Sequence, residues 1–245
     1  MTQTASMAPN PASGRDVLRH GDFRLYLGAR FATGLAIQVH DVGVGWYVYE
    51  ITRSAWALGL VGLAVFLPNL LFALIAGEVA DRFDRRLVVT ASFATMAAVS
   101  LGLLVTVIVG TTTPLPIYAL AALFGTARAF AMPASQALVP MLVPRGDFPR
   151  AVAWVSSTWQ LSTIGGPALG GLLYAFGAKV VFASAFAAFA AGAVAVFTIR
   201  PRPGNGGGGR PSLERLLAGI AFIRSKPVIL GAISLDLFAV LLGGA

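Results

Sequence analysis

The chain has 245 residues, of which 57% are hydrophobic and 11% charged, and its mean hydropathy is +0.78, whereas a soluble globular domain carries roughly 25% charged residues. With no cysteine, two histidines and no HExxH pair, it has no disulfide, no thiol nucleophile and no ordinary zinc site. No Walker phosphate loop occurs, which argues against direct ATP hydrolysis, and no set of nucleophile, acid and base stands at one depth, which leaves a non-enzymatic membrane protein.

Residues 1–22 are polar and arginine-bearing, with no apolar core and small-residue cleavage site, so they are expected to form a cytoplasmic tail rather than a removed signal peptide. An apolar run of about 20 residues spans the hydrocarbon core. The first predicted span, Phe23 to Tyr49, is interrupted by Arg30, His40 and Asp41. Spans two and three, Ser54 to Gly77 and Leu87 to Leu115, carry no charge. Span four, Pro116 to Val143, holds Arg128 at its middle, and Ala151 to Ala178 and Val180 to Ile199 are clear fifth and sixth spans.

Residues 201–227 then break the pattern. "PRPGNGGGGRP" has the composition of a flexible linker, and "SLERLLAGIAFIRSK" has the spacing of an amphipathic helix, lying either on the inner leaflet or on protein. Residues 228–245 begin a seventh span that is expected to be cut short. The expected fold is an all-α membrane protein: a six-helix bundle over residues 23–200 built of two inverted three-helix repeats, plus a partial seventh helix. That is the layout of one half of a two-bundle transporter.

Charge placement orients the spans. The tail, the turns after spans two and four, and residues 200–226 hold nearly all the arginines, while the opposite turns hold Arg53 and Lys179 only. That asymmetry puts the N-terminus in the cytoplasm, and Trp46, Tyr47, Tyr49, Trp56, Tyr118 and Tyr174 form an aromatic belt at the outer side. The net charge of +8 thus reports topology, and no basic face for nucleic acid is expected.

Between spans two and three stands "GEVADRFDRR", Gly77 to Arg86, with six charges in ten residues. It is a topology anchor on composition alone. Its order adds chemistry: Gly77 permits close helix approach, Asp81 is suited to pair with Arg85 or bind helix-terminal amides, and Arg82 and Arg86 reach lipid phosphate. In span five, "STIGGPALGGLLY" places Pro167, which lacks a backbone donor, among Gly166, Gly170 and Gly171, small surfaces on which another helix closes.

In these two stretches the chain resembles the major facilitator superfamily. The superfamily's turn between spans two and three has Gly, three residues, Asp, Arg, any residue, Gly, Arg, and Arg or Lys; Gly77, Asp81, Arg82, Arg85 and Arg86 match it, and Asp84 replaces the inner Gly. The resemblance implies that this loop is a charge latch between two bundles. Gly166, Pro167, Gly170 and Gly171 resemble the core of the antiporter motif of drug-efflux members, with Ser162 in place of an earlier Gly. Stretches such as "WYVYEITRSAWALGLVGLA" and "VPRGDFPRAVAWVSSTWQL" look like the subgroup that contains macrolide and enterobactin exporters, and the resemblance covers the chain after its first 20 or so residues.

The resemblance implies that spans one and four line a central cavity as symmetry mates. An ion pair between Asp41 and Arg128 is therefore expected there, with Asp41, aided by His40, taking up a coupling proton while Arg128 holds the carboxylate charged. The alternatives are that His40 and Asp41 face an outer water vestibule and that Arg128 is a structural pin. Asp236 in span seven is a further candidate, Arg30 is expected to snorkel to the inner interface without a chemical role, and Gln38, Gln136 and Gln160 are candidate solute contacts. No metal or organic cofactor is expected, only a proton gradient.

The function these features point to is proton-coupled export of an amphipathic drug-like or siderophore-like small molecule across a prokaryotic inner membrane. The expected partners are the bilayer and a missing C-terminal six-helix half, or a chain that supplies it. Alternatives are an uptake member of the same superfamily, or a truncated non-transporting remnant, partner subunit or scaffold.

Overall fold

The computed structural model describes residues 16–200 and, singly, Gly231. Residues 1–15 of the expected tail, the linker and amphipathic helix at 201–227, the seventh span and its Asp236 lie outside the described residues.

After a short 3-10 turn (Asp16–Arg19), the described chain forms six long helices: α1 (Gly21–Thr52), α2 (Ala55–Arg82), α3 (Arg85–Val109), α4 (Leu115–Leu142), α5 (Phe148–Tyr174) and α6 (Ala178–Thr198). Three of the boundaries have a clear local cause. Ser54 caps α2 by accepting from the Ala57 amide at 3.4 Å. Asp84 caps α3 by accepting from the Arg86 amide at 2.9 Å, as expected of a carboxylate in front of a helix. Gly110 ends α3 at φ 74, a left-handed conformation that costs glycine nothing. Pro68, Pro133, Pro140 and Pro167 all lie inside helices, which membrane helices tolerate because neighbours satisfy the freed carbonyls.

Four of the helices are long and apolar enough to cross a membrane: α2 over Ala55–Ala73, α3, α4 and α6. The expected order is changed in one respect. Span four meets the criterion in spite of Arg128, whereas span five, expected to be clear, does not, because α5 carries the polar run Ser156, Ser157, Thr158, Gln160, Ser162 and Thr163.

Close contacts fix the directions of the helices. Along α1 and α5, Gly34 lies against Ser162, Gln38 against Gly166 and Val42 against Gly170. Both sequences rise by four, so the two helices are parallel and pack along their i, i+4 ridges. On α2 and α4 the Tyr118 hydroxyl donates to the Ala57 carbonyl, Gly125 abuts Val65, and Phe72 meets Phe130 at 5.9 Å; these are parallel too. Against α6 the order reverses: Thr33 meets Gly192 while Gly43 meets Val181, and on α3 Arg86 reaches Ile199 while Phe93 meets Gly192. The six helices therefore alternate in direction.

The packing pairs have an internal symmetry. The main contacts are α2 with α4, α1 with α5, α3 with α4, α1 with α6 and α3 with α6. Exchanging α1, α2, α3 for α4, α5, α6 turns this set into itself. Gly34 against Ser162 and Gly125 against Val65 occupy matching places in the exchanged pairs, all four in the middle third of their helices.

The bundle has a basic end, with Arg24, Arg82, Arg85, Arg86, Arg145 and Arg150, and an opposite end with Arg53, Lys179 and most of the aromatic belt. The core is built of Phe23, Tyr26, Phe93, Met96, Phe124, Phe182 and Phe189. Only 6% of the apolar stretch of α2 is buried in the bundle, against 39% for α3, α4 and α6, so Leu63, Phe66, Leu67, Leu70 and Leu71 present an outward apolar face. On α5, Leu161, Ile164, Leu169 and Leu172 do the same.

Candidate functional site

Between α1 and α4 the Arg128 Nη1 atom lies 3.4 Å from Asp41 Oδ2. Both side chains are part-buried, at 29% and 38% exposure. Asp41 also lines a cavity of about 440 Å³ with Val42, Gly45, Trp46, Tyr49 and Leu58. Two residues on, Gly43 lets α1 approach α6, because a side chain there would run into Val181.

His40 occupies a different environment from its neighbour. Its ring is 1% exposed, stacked on Phe124 with centroids 4.0 Å apart and planes at 8°, with the edge of Phe182 at 6.2 Å. Nδ1 stands 3.6 Å from Asp41 Oδ1, and neither ring nitrogen has a hydrogen-bond partner among the described residues. His40 is thus walled off from the cavity that Asp41 faces.

A second cavity, of about 500 Å³, opens between α1, α4 and α5 in the half of the bundle toward the basic end. Arg30, Gln136, Gln160, Ser156, Trp159 and Tyr26 supply its polar and aromatic wall. The Arg30 guanidinium sits 5.6 Å from the centre of the Trp159 ring, and the Tyr26 hydroxyl donates to the Ser135 carbonyl at 2.7 Å, tying α1 to α4. Gln136 and Gln160 therefore share a wall, while Gln38 lies against Gly166 in the α1–α5 contact. The contact of Arg30 with Trp159 could not be read from span one because the ring stands on another helix; the readable signal was the "STWQ" run of α5, which sets hydroxyls, a Trp and an amide within an otherwise apolar helix.

In the charged loop, nothing among the described residues lies within 4 Å of a side chain placed at Gly77, so no described helix approaches closely there. A Gly77→Ala variant is accordingly expected to match or exceed wild-type stability by up to about 1 kcal/mol, as read by thermal unfolding in detergent. A clear loss would mean that another helix approaches there in the whole protein.

Asp81 is exposed and forms no pair with Arg85. Arg85 instead donates to the Ala80 carbonyl at 3.3 Å and approaches Met141 Sδ at 3.4 Å. Arg86 donates to the carbonyls of Ile199 at 3.0 Å and Phe197 at 3.4 Å, capping the end of α6, where a cation is favoured by the helix dipole. It is therefore held by protein. Arg82 pairs with Glu78 at 2.5 Å on the exposed side. Asp84 has φ −58, which needs no glycine, so the departure from the superfamily pattern at this position supplies a helix cap.

In α5 the two glycines at 166 and 170 are contact points, whereas Gly171 has nothing within 4 Å of a placed side chain. The helix continues through Pro167. Ser162, where the superfamily pattern has glycine, is fully buried. It returns its hydroxyl to Thr158 of its own helix at 2.9 Å, and the small residue at this crossing is Gly34 of α1.

Comparison with known proteins gives these observations a setting. A family model described as "Transmembrane secretion effector" matches residues 12–223. The chain is 28% identical over 220 residues to the enterobactin exporter EntS of Shigella dysenteriae serotype 1, covering 86% of this chain and 51% of that protein. It is 30% identical over 162 residues to EntS of Salmonella typhimurium, covering 64% and 38%, and 28% identical over 220 residues to EntS of Escherichia coli O1:K1 / APEC, covering 86% and 51%. At most it spans about half the length of these relatives, 51%.

Proposed function

This chain belongs to the transmembrane secretion effector family of the major facilitator superfamily, and we propose that it forms the first six-span bundle of a proton-coupled exporter working by alternating access. The observation that carries the coupling role is the Asp41–Arg128 pair, 3.4 Å apart, in a helix-helix seam where an unpaired charge is costly. Asp41 faces a cavity, so a proton can arrive. Once neutral, it no longer holds Arg128, and α1 and α4 are freed to shift.

In this reading all six helices cross an inner membrane with the N-terminus cytoplasmic, which the basic end of the bundle supports. The symmetric packing pairs supply two inverted three-helix repeats. A second six-helix half, from the same gene product or a partner chain, closes the pathway over the outward apolar faces of α2 and α5, and Asp81 and Arg82, exposed at the basic end, are the parts of the charged loop left to engage it. Export as the direction is supported by the EntS relatives. The solute is an amphipathic small molecule.

The test is transport in everted membrane vesicles that contain the complete gene product. Naphthyl probes of each charge (1-naphthoate, 1-naphthamide and 1-naphthylmethylammonium) are offered with a respiration-generated gradient. Saturable accumulation of at least one probe that collapses with a protonophore is expected. Absence of any gradient-driven accumulation would remove the exporter reading.

A further inference from the structure

Resting on the exporter reading, we propose that the cavity between α1, α4 and α5 is a subsite for a planar amphipathic monoanion, whose acid group pairs with Arg30 beside Trp159. Arg30 is the one charged residue among those lining this cavity, and it has no carboxylate partner among the described residues. The Asp41–Arg128 pair, by contrast, is internally neutral. The site thus offers one uncompensated positive charge within a membrane-spanning bundle, where such a group ordinarily faces a partner or a substrate path.

The surroundings define what the partner is. A guanidinium lying over an indole is held by the ring and keeps its in-plane donors for a carboxylate or similar oxyanion, which accepts two parallel hydrogen bonds from it. The side-chain amides of Gln136 and Gln160 make no hydrogen bond among the described residues, leaving neutral donors and acceptors for other polar groups. Met132 and Val155 provide an apolar wall for a ring, the few polar groups and apolar lining typical of small-molecule sites.

The position of Arg30 is fixed on both sides. One turn along α1, Gly34 rests on Ser162 and sets the distance to α5; one turn the other way, the Tyr26 hydroxyl holds α4. The guanidinium, Trp159 and the two amides therefore stand in place before a solute arrives, which lowers the cost of binding. A cation finds no carboxylate here, and a neutral ring finds only the stacking surface.

Equilibrium binding to the purified complete gene product in detergent tests the subsite without any gradient. Wild-type protein is expected to bind 1-naphthoate at least tenfold more tightly than 1-naphthamide or 1-naphthylmethylammonium. Arg30→Gln is expected to remove that preference while leaving naphthamide affinity within twofold, and Arg30→Lys to retain part of it. Equal wild-type affinity for the three probes would overturn the proposal with no variant needed, as would a naphthoate preference that survives Arg30→Gln. If charge-selective binding holds but no probe is accumulated in vesicles, the exporter reading fails and the subsite stands. If accumulation occurs without charge selectivity at Arg30, the subsite fails and the exporter reading stands.

Discussion

Replacing Gly125 with valine is expected to prevent the bundle from assembling. A side chain at that position would collide with the backbone of Val65, its carbonyl oxygen, carbonyl carbon and Cα, and a backbone in a packed helix has no rotamer by which to yield. Small residues are what let membrane helices approach this closely. The cost is placed at about 3 kcal/mol or more, the upper range for overpacking, because α4 is the main neighbour of α2 and a shift of α2 that relieves the clash gives up most of that helix's packing. Gly62→Ala in the same helix, where nothing lies within 4 Å, is expected to be near neutral. Monodisperse yield and thermal unfolding of the complete gene product in detergent separate the two; a Gly125→Val protein with wild-type unfolding would show that α2 and α4 stand further apart.

Breaking the pair between α1 and α4 is expected to have the second large effect, and its sign depends on how the pair is broken. Arg128→Gln leaves the Asp41 carboxylate part-buried without its cation, and isolated buried charges are strongly destabilising. Because both side chains are about a third exposed, the penalty is discounted to about 1–3 kcal/mol. The double variant Asp41→Asn with Arg128→Gln removes both charges and is expected to recover most of that loss. A double-mutant cycle on thermal unfolding reads the coupling directly, and additive single effects would mean that the two groups do not interact in the membrane.

Much of the bundle could be read from composition because lipid demands long apolar helices, and the helix ends were placed by local chemistry. A helix was expected over Phe23 to Tyr49 and α1 runs over Gly21–Thr52; another was expected over Pro116 to Val143 and α4 runs over Leu115–Leu142. The larger errors occur where a cap overrides hydropathy. The helix of span two continues past Gly77 to Arg82 because charged residues with good helix propensity extend it into water, and span three stops at Val109, before Leu115, because Gly110 takes up the left-handed conformation.

The Asp41–Arg128 pair was legible through the resemblance, which implies that spans one and four are neighbours, and the two side chains stand 3.4 Å apart. What periodicity could not supply is the identity of neighbours on other helices. Arg85 and Arg86 were readable as cations but not as caps for α6 and contacts to α4, and Arg30 was readable as a charge but not as the partner of Trp159. His40, adjacent to Asp41 in sequence, faces aromatic rings because successive helical residues point about 100° apart. Adjacency in sequence does not bring His40 to the cavity that Asp41 lines.

The proposed proton-coupling role of Asp41 is tested most directly by comparing wild type and Asp41→Asn in everted vesicles that contain the complete gene product, measuring probe accumulation against the imposed pH gradient. The account predicts that Asp41→Asn loses at least tenfold of gradient-driven accumulation while still equilibrating the probe when no gradient is present, since the pathway remains and only its proton carrier is gone. Gradient-driven accumulation at the wild-type level in Asp41→Asn would contradict it.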